Sequence, residues 1–349
     1  MNLAIIGYGG MGGWHHESIK EKVPEITVVG AWDVREEARQ KAQDHGLFVY
    51  PSLEALLEDA SVDIVTIAVP NNFHKDLSIR CLLAGKAVVS EKPVTLNAAE
   101  LVEIIAVSKQ TGKLFSIHQN RRWDKDYRIV RKAIEEGTIG RPYLIESKVQ
   151  GSRGAMHGWR GHKLNGGGML LDWGVHLIDQ IMDMIDAPVI SVEGHLYSIK
   201  TPEVDDNIQV SLRFEGGVTA TIGMATNCFI VEPRWHVSCT DGTMRIDGWD
   251  CAGKIVQLDN DAPLEWADDI VYTEAGPTRT MAPRPPETTR EIPLPEVSVD
   301  WADYYRNIAA VLDGKAELIV KPEQALRVMQ VIDLLFESQE KNCGIPCRI

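Results

Sequence analysis

The first third of the chain alternates between short apolar runs and amphipathic stretches. LAIIG from Leu3, ITVVGAW from Ile26, VDIVTIAV over 62–69, KAVVS over 86–90 and KLFSI over 113–117 are five to eight residues long and mostly apolar. Runs of that length without polar alternation predict strands buried on both faces. Between them, SLEALLED, HKDLSIRCLLAG and NAAELVEIIAVSKQTG carry apolar residues at helical spacing, and the last two exit through glycine. Such a rhythm predicts a parallel sheet with right-handed crossovers and a ligand crevice outside the carboxyl ends of the strands. After Ile117 the rhythm changes. Residues 124–140 predict one amphipathic helix, and strand patterns follow: YLIESKVQ, VISVEGHLYSI, NIQVSLRFEGG, VTATIGMATNC and WHVSCTDGTMRIDG. Turn residues such as EGG and TDG separate several of them, as in an antiparallel sheet. Residues 259–299, rich in proline and acidic groups, predict long loops wrapping the sheet edge, with APRPPETT (282–289) the mobile piece. DWADYYRNIAAVLDG and PEQALRVMQVIDLLFESQEKN return to helical spacing. The fold class expected is α/β: an N-terminal Rossmann domain over residues 1–119, then a C-terminal α+β domain over 120–349. The last helices are expected to pack back on the first domain.

Composition narrows the function. A chain of 349 residues exceeds one typical core and suits two domains. Its net charge of −14 argues against partners that reward Lys and Arg, such as nucleic acid or anionic lipid. No window of about 18 uninterrupted apolar residues predicts a membrane span, and MNLAIIGYGG lacks a basic leader, so a cytoplasmic location is expected. Six cysteines do not suggest a disulfide framework, and Cys343 and Cys347 have no second ligand pair for zinc.

The chemistry begins where the first strand meets GYGGMGGWHH. Gly7, Gly9 and Gly12 fit the dinucleotide fingerprint, with Gly10 and Met11 in the same loop. The first glycine permits the tight turn, the second lets backbone approach a pyrophosphate, and the third allows close helix–strand packing. Asp33 ends the second strand 21 residues beyond Gly12. A carboxylate there accepts ribose hydroxyls and repels a 2′-phosphate, which favours NAD over NADP. Arg35, next but one, softens that preference, and Val34 lies between them. Two segments sit at the strand ends of the crevice: PNNFH, with Pro70, Asn71 and His74, and SEKPV, with Glu91 and Lys92. Lys92 follows a buried strand and is fixed by Pro93, with Glu91 as its expected ion-pair partner, and a catalytic role is assigned to it.

The stretch GGGMLLDWGVHLID (166–179) raises three readings. As a phosphate cradle it competes with a better-placed glycine loop. As a metal site it offers one Asp and one His where three or four ligands are needed, and no metal is expected. As a helix it puts Asp172 and His176 one turn apart on one face, extended by Asp179 and Asp183. On this reading the three glycines are a flexible entry, and Gly174 keeps the surface low for a ligand. Oxidation of a secondary alcohol gives the pair a purpose. An unperturbed imidazole titrates near neutrality, so His176 suits a general base, Lys92 can stabilise alkoxide charge, and Asp172 can orient the substrate or relay a proton. The residues leave open whether Lys92 or His176 takes the proton first. HQNRRWD and RGAMHGWRGHKLN add Asn120, Arg122, His157, Trp159, Arg160, His162 and Lys163, with Trp173 and Trp123 near them. Hydrogen-bonding groups interleaved with indoles suit a polyhydroxylated ring.

The glycine loop with His15 three residues on, EKP after the strand at 86–90, NRRWD, and D-x-G-x-H together resemble the glucose–fructose oxidoreductase/inositol dehydrogenase/rhizopine-catabolism (Gfo/Idh/MocA) family over essentially the whole chain. The resemblance implies a large open sheet in the second domain, through which copies associate as a homo-oligomer. It implies that Lys92, Asp172 and His176 hold the catalytic positions and that the bond before Pro93 is cis. It also implies oxidation of a sugar, glycoside or inositol, with C3 of a glucoside as the narrower expectation. Three alternatives attach to the same family: a glycoside hydrolase using transient oxidation and elimination, a sugar–sugar oxidoreductase recycling tightly bound NAD, and a non-catalytic sensor.

Overall fold

The computed structural model describes residues 1–259, 269–280 and 284–349. Six strands form the first sheet: β1 (Asn2–Ile6), β2 (Thr27–Trp32), β3 (Phe48–Val49), β4 (Ile64–Ile67), β5 (Ala87–Ser90) and β6 (Phe115–Ile117). Their order is β3-β2-β1-β4-β5-β6 and every pairing is parallel. Leu3 to Ile6 and all of β4 and β5 are buried, because helices lie on both faces of the sheet. Those helices are α1 (Gly10–Lys22), α2 (Glu36–Asp44), α3 (Leu53–Glu58), α4 (His74–Leu83) and α5 (Ala98–Thr111). The Asn97 side chain accepts the Glu100 amide at the start of α5, and Gly112 ends it at φ 64°. Strand β3, at two residues, is too short to carry a period and was not legible in the sequence. The strand order reverses between β1 and β4, so the glycine loop after β1 and Pro70 after β4 flank the crevice where ligands collect.

The second unit starts with α6 (Lys125–Glu135) and β7 (Pro142–Gln150), then α7 (Val175–Met184), β8 (Val189–Tyr197), β9 (Asn207–Phe214) and β10 (Thr219–Ala225). It continues through β11 (Trp235–Cys239), β12 (Gly242–Ile246) and β13 (Gly253–Leu258), a hairpin of β14 (Asp269–Thr273) and β15 (Gly276–Thr280), and β16 (Thr289–Ile292). The last elements are α8 (Asp303–Leu312), α9 (Pro322–Lys341) and β17 (Ile345–Pro346). Nine of these strands form one sheet in the order β16-β13-β12-β11-β7-β10-β9-β8-β17, antiparallel except where β10 runs parallel to β7. Alternation along β9 shows its two faces: Ile208, Val210, Leu212 and Phe214 are buried while Gln209 and Arg213 are exposed. Helices cover only the apolar face. Trp235 Nε1 donates to Asp126 of α6 at 2.8 Å, and the Gly194 amide donates to Ser338 of α9 at 3.1 Å.

The expectation of long loops over residues 259–299 is corrected by the β14–β15 hairpin and by β16. That strand pairs with β13 as the outermost strand of the large sheet. Of the segment expected to be mobile, residues 284–289 form a 3₁₀ turn (Pro286–Thr288) leading into β16, and residues 282–283 lie outside the described residues. Helix α9 ties the two units together, because Asp333 accepts the Ala98 amide at 2.9 Å while Gln339 accepts the Leu196 amide at 2.8 Å. Among the described residues no helix is long and apolar enough to cross a membrane.

Candidate active site

The glycine loop is built as the fingerprint requires. A Cβ on Gly12 would lie 2.1 Å from the Gly7 carbonyl oxygen, so only glycine lets α1 start this close to the turn. A Cβ on Gly10 would meet nothing within 4 Å, which leaves open space beside the first amides of α1. Asp33 is buried, and its carboxylate accepts the Tyr8 and Arg35 amides at 2.8 Å each. The Arg35 guanidinium also reaches it at 3.3 Å. Ribose hydroxyls meeting Asp33 therefore meet Arg35 as well, and the loop fits a dinucleotide with a cation available near its adenosine ribose. Val34 and Met11 are exposed beside it.

The strand-end segments behave less uniformly. The Lys92–Pro93 bond is cis. Asn71 is buried and donates from Nδ2 to the Gly166 oxygen at 2.8 Å, joining the two units across the crevice. His74 is wholly buried with both ring nitrogens 2.8 Å from the Pro93 and Val69 carbonyl oxygens. It holds the crevice wall and keeps no nitrogen for a cofactor, which corrects its assignment.

Lys92 reaches from β5 across to the second unit. Its Nζ donates to the Asp172 carboxylate at 2.9 Å and to the Asp172 backbone oxygen at 2.8 Å. Arg160 Nε stands 3.2 Å from the same carboxylate. Despite burial, the two cations hold Asp172 below the usual carboxylate range. Glu91 is not the ion-pair partner of the Lys92 ammonium. Its carboxylate accepts His15 Nε2 at 2.9 Å, His118 Nδ1 at 2.8 Å and the Lys92 backbone amide at 3.1 Å. A carboxylate only accepts, so His15 carries its proton on Nε2 and its Nδ1 accepts from Tyr305 at 2.9 Å. Burial alone would raise the Glu91 carboxyl, but the two histidines hold it well below the usual range. The donor atoms of His15, Glu91 and His118 lie within 4.8 Å of one another, a His/Glu/His grouping with the donor types of a metal site that the sequence spacing did not reveal. Here it serves as a hydrogen-bonded base under the Lys92 backbone.

His176 lies at the start of α7, buried. Its Nδ1 donates to Gln119 Oε1 at 3.0 Å, which leaves Nε2 as the free lone pair. Burial, with Lys92 and Arg121 adding to it, holds the imidazole well below the usual histidine range. Gln119 was missed by residue type. Its position two residues beyond β6, at the carboxyl edge of the first sheet, was the available signal.

The segment before His176 differs from the single helix expected. Leu170–Gly174 is a π-helical turn that passes into α7 at Val175. Asp172 and His176 therefore do not stack as in a regular α-helix, and Asp172 turns to Lys92 while His176 turns to Gln119. Gly174 is a packing residue and does not open the surface to a ligand: a Cβ there would lie 2.8 Å from Leu170 and 3.3 Å from Met224. The three glycines are tight rather than flexible. A Cβ on Gly167 would meet the Arg160 oxygen at 2.2 Å, and Gly168, at φ +107°, would meet Asp205 at 2.5 Å. Asp205 accepts the Leu170 amide at 2.7 Å and anchors the turn. Gly168→Ala is expected to destabilise the protein by about 1–3 kcal/mol, seen as a lower denaturant midpoint with unchanged slope. An unchanged midpoint would show that the turn relaxes freely.

The substrate shell splits. Arg122 is 3% exposed and forms two bonds to Asp179, at 2.7 and 2.6 Å, with Asp183 at 2.9 Å. It is structural, and so are Asp179 and Asp183, which do not extend the reactive face. Trp123 is likewise buried. Arg121 is the arginine that lies near His176, with its guanidinium 4.1 Å over the Trp173 ring and Nη1 bonded to Asp124 at 2.8 Å. Burial raises the Asp124 carboxyl to about 6. Trp159 stacks with Arg160, whereas His157 and Lys163 are exposed on the loop above the glycine turn and Asn120 is buried. His162 pairs with Glu203 at 3.2 Å, away from the Lys92–Asp172 pair.

Two family models match the chain: "Oxidoreductase family, NAD-binding Rossmann fold" over residues 1–119 and "GFO/IDH/MocA C-terminal domain" over residues 127–245. A solved NAD-binding protein from Listeria innocua is 40% identical, with a TM-score of 0.92 and 99% of each chain covered. The NADP-dependent scyllo-inositol 2-dehydrogenase IolW of Bacillus subtilis is 25% identical over 98% of this chain and 94% of its own. The D-glucoside 3-dehydrogenase of Escherichia coli is 27% identical over 56% of this chain and 58% of its own.

Proposed function

The chain belongs to the Gfo/Idh/MocA oxidoreductases, and on that premise we propose that it oxidises a ring secondary hydroxyl of a glycoside, sugar or inositol to the ketone, with NAD preferred over NADP. It is an NAD(P)-dependent enzyme acting on sugar-type hydroxyls. The observation that carries the finer reading is that Lys92 Nζ from the first unit bonds Asp172, while His176, four residues on, commits Nδ1 to Gln119 and leaves Nε2 to accept. A dinucleotide held by its pyrophosphate at the Gly7–Gly12 loop would supply a nicotinamide as acceptor for the carbinol hydride. Lys92 donates to the reacting oxygen and stabilises its negative charge. His176 Nε2 takes the hydroxyl proton, with Gln119 fixing the tautomer. Asp172 holds the Lys92 ammonium in place. The D-glucoside 3-dehydrogenase and inositol dehydrogenase among the relatives support a ring hydroxyl, and C3 of a glucoside is the position proposed. Asp33 supports NAD, while Arg35 leaves a route for NADP. A cytoplasmic enzyme is proposed, assembled from copies meeting on the uncovered polar face of the nine-stranded sheet, where Gln209 and Arg213 project.

The test is to incubate the protein with NAD or NADP and a panel of inositols, hexoses and glucosides, following reduced cofactor and products together. Keto-sugar matched by NADH supports the dehydrogenase. Released aglycone without net NADH would identify the hydrolase, and no turnover across the panel would overturn an enzymatic role. The acid limb of kcat/KM is expected below the ordinary histidine range. His176 must be neutral to accept a proton, and its lowered pKa keeps it neutral as pH falls through 6.5. An acid limb at or above 6.5 would assign the base elsewhere.

A further inference from the structure

Five side chains from different segments form a continuous aromatic wall beside the reacting groups, its rings tilted or edge-on to one another, at 65° for Trp14–Trp301 and 52° for Trp173–Trp249. Trp14, in the first turns of α1, lies 5.7 Å from Trp301 between ring centroids. Trp301 lies 5.8 Å from the Arg121 guanidinium, which covers Trp173 at 4.1 Å, and Trp173 lies 5.8 Å from Trp249. The surface meets a reacting group at Trp173, whose ring lies 6.1 Å from that of His176, and at its other end Trp14 lies 5.6 Å from His118, which holds Glu91. These spacings are those of stacked or edge-on rings.

Two observations separate this surface from an ordinary core cluster. All four indoles are partly exposed, and Trp249, at its outer end, is 53% exposed. A core of four tryptophans would be closed. The Arg121 side chain is also incompletely used, since among the described residues the carboxylate bonded to it, Asp124, takes only Nη1. A planar guanidinium stacked on an indole extends a flat surface, and its remaining N–H groups are directional donors for hydroxyls.

Resting on the oxidoreductase reading above, we infer that the cleft has a second subsite: a stacking platform, Trp173–Arg121–Trp249 with Trp301 and Trp14, for a ring attached to the reacting sugar. The substrate is then a glycoside whose second ring, an aromatic aglycone or another pyranose, packs a face against the exposed indole of Trp249 while the first ring meets Lys92 and His176. A ring face is the shared chemistry, because indoles accept both the π face of an aryl group and the C–H face of a sugar. Binding energy from this remote ring positions the reacting hydroxyl, so its loss affects more than affinity.

The experiment compares methyl β-glucoside, 4-nitrophenyl β-glucoside and cellobiose, by NAD-dependent turnover of the full-length enzyme and by calorimetric titration into the NAD-loaded Lys92→Met variant. At least one of the two-ring ligands is expected to bind about tenfold more tightly than the methyl glucoside. Trp249→Ala is expected to cut kcat/KM for that ligand about tenfold more than for the methyl glucoside, and Trp249→Phe to restore most of the difference. An advantage confined to the aryl glucoside identifies an aromatic aglycone, and one shared by cellobiose identifies any second ring. Equal losses on all three substrates, no effect on any, or two-ring ligands binding no tighter than methyl glucoside would overturn the subsite. If none of the three is oxidised yet the two-ring ligands still bind more tightly and lose that advantage in Trp249→Ala, the redox reading falls and the subsite stands.

Discussion

Replacing Lys92 with methionine is expected to lower kcat by about 10³-fold while leaving nucleotide binding and the fold in place. The side chain occupies similar volume, but it removes the only ammonium that spans the cleft to the Asp172 carboxylate among the described residues. Loss of a donor to a developing alkoxide costs on the order of 10²–10³ in rate, and disturbing the proton acceptor beside it adds to that. The fold survives because Asp172 keeps Arg160 at 3.2 Å, so the carboxylate is not stranded. The measurements are kcat on a substrate found in the panel, the NAD dissociation constant and the melting temperature. A variant within about tenfold of wild type, with NAD binding intact, would remove Lys92 from the catalytic set.

Arg122→Ala is expected to be the most destabilising single substitution at the site, by roughly 3–5 kcal/mol, because it strands the Asp179 carboxylate inside the protein, whereas Asp183 keeps Arg131 and Tyr127. Asp179 is 2% exposed and Asp183 10%. Arg122 supplies three of the donors that make their burial tolerable. The sign with pH follows from those carboxylates: once its cation is gone, Asp179 is cheaper to bury protonated, so the deficit shrinks as pH falls toward 5. Chemical denaturation of both proteins at pH 7.5 and pH 5 reads this directly. A deficit below about 1 kcal/mol, or one that grows on acidification, would show that the network is not carrying the packing of α7 on α9.

The contrast between Arg121 and Arg122 shows where sequence reading stops. NRRWD identifies two arginines near the site and cannot say which faces the cleft. The segment forms a 3₁₀ turn, Asn120–Trp123, which rotates successive side chains by about a third of a turn. One arginine therefore points to the indoles and the other into the carboxylates of α7. The same limit applied to 166–179. Its periodicity was compatible with an unbroken helix, and a single extra residue in the π-helical turn redirected Asp172 to Lys92. The glycine loop, Asp33 and the parallel strands were legible because each depends on a local rule: a tight turn, a strand end, a run buried on both faces. Glu91 with His15 and His118, Gln119 on His176, and the indole surface were not. Each brings together residues 27 or more positions apart, for which only topology supplies the proximity.

The two tyrosines at the start of α8 bear on how such a chain acquires its structure. Tyr305 bonds to His15 and Thr66, 290 and 239 positions away, and Tyr304 bonds to Ser116, 188 positions away. Ser116 in turn donates to the oxygen of Val320. The nucleotide-binding half is therefore translated first and completed last. Its sheet can form from local crossovers, but Thr66 of β4, Ser116 of β6 and the His15 Nδ1 of α1 receive their tyrosine partners only when α8 arrives. High contact order of this kind slows folding, because the long loop must close before the bonds from α8 form.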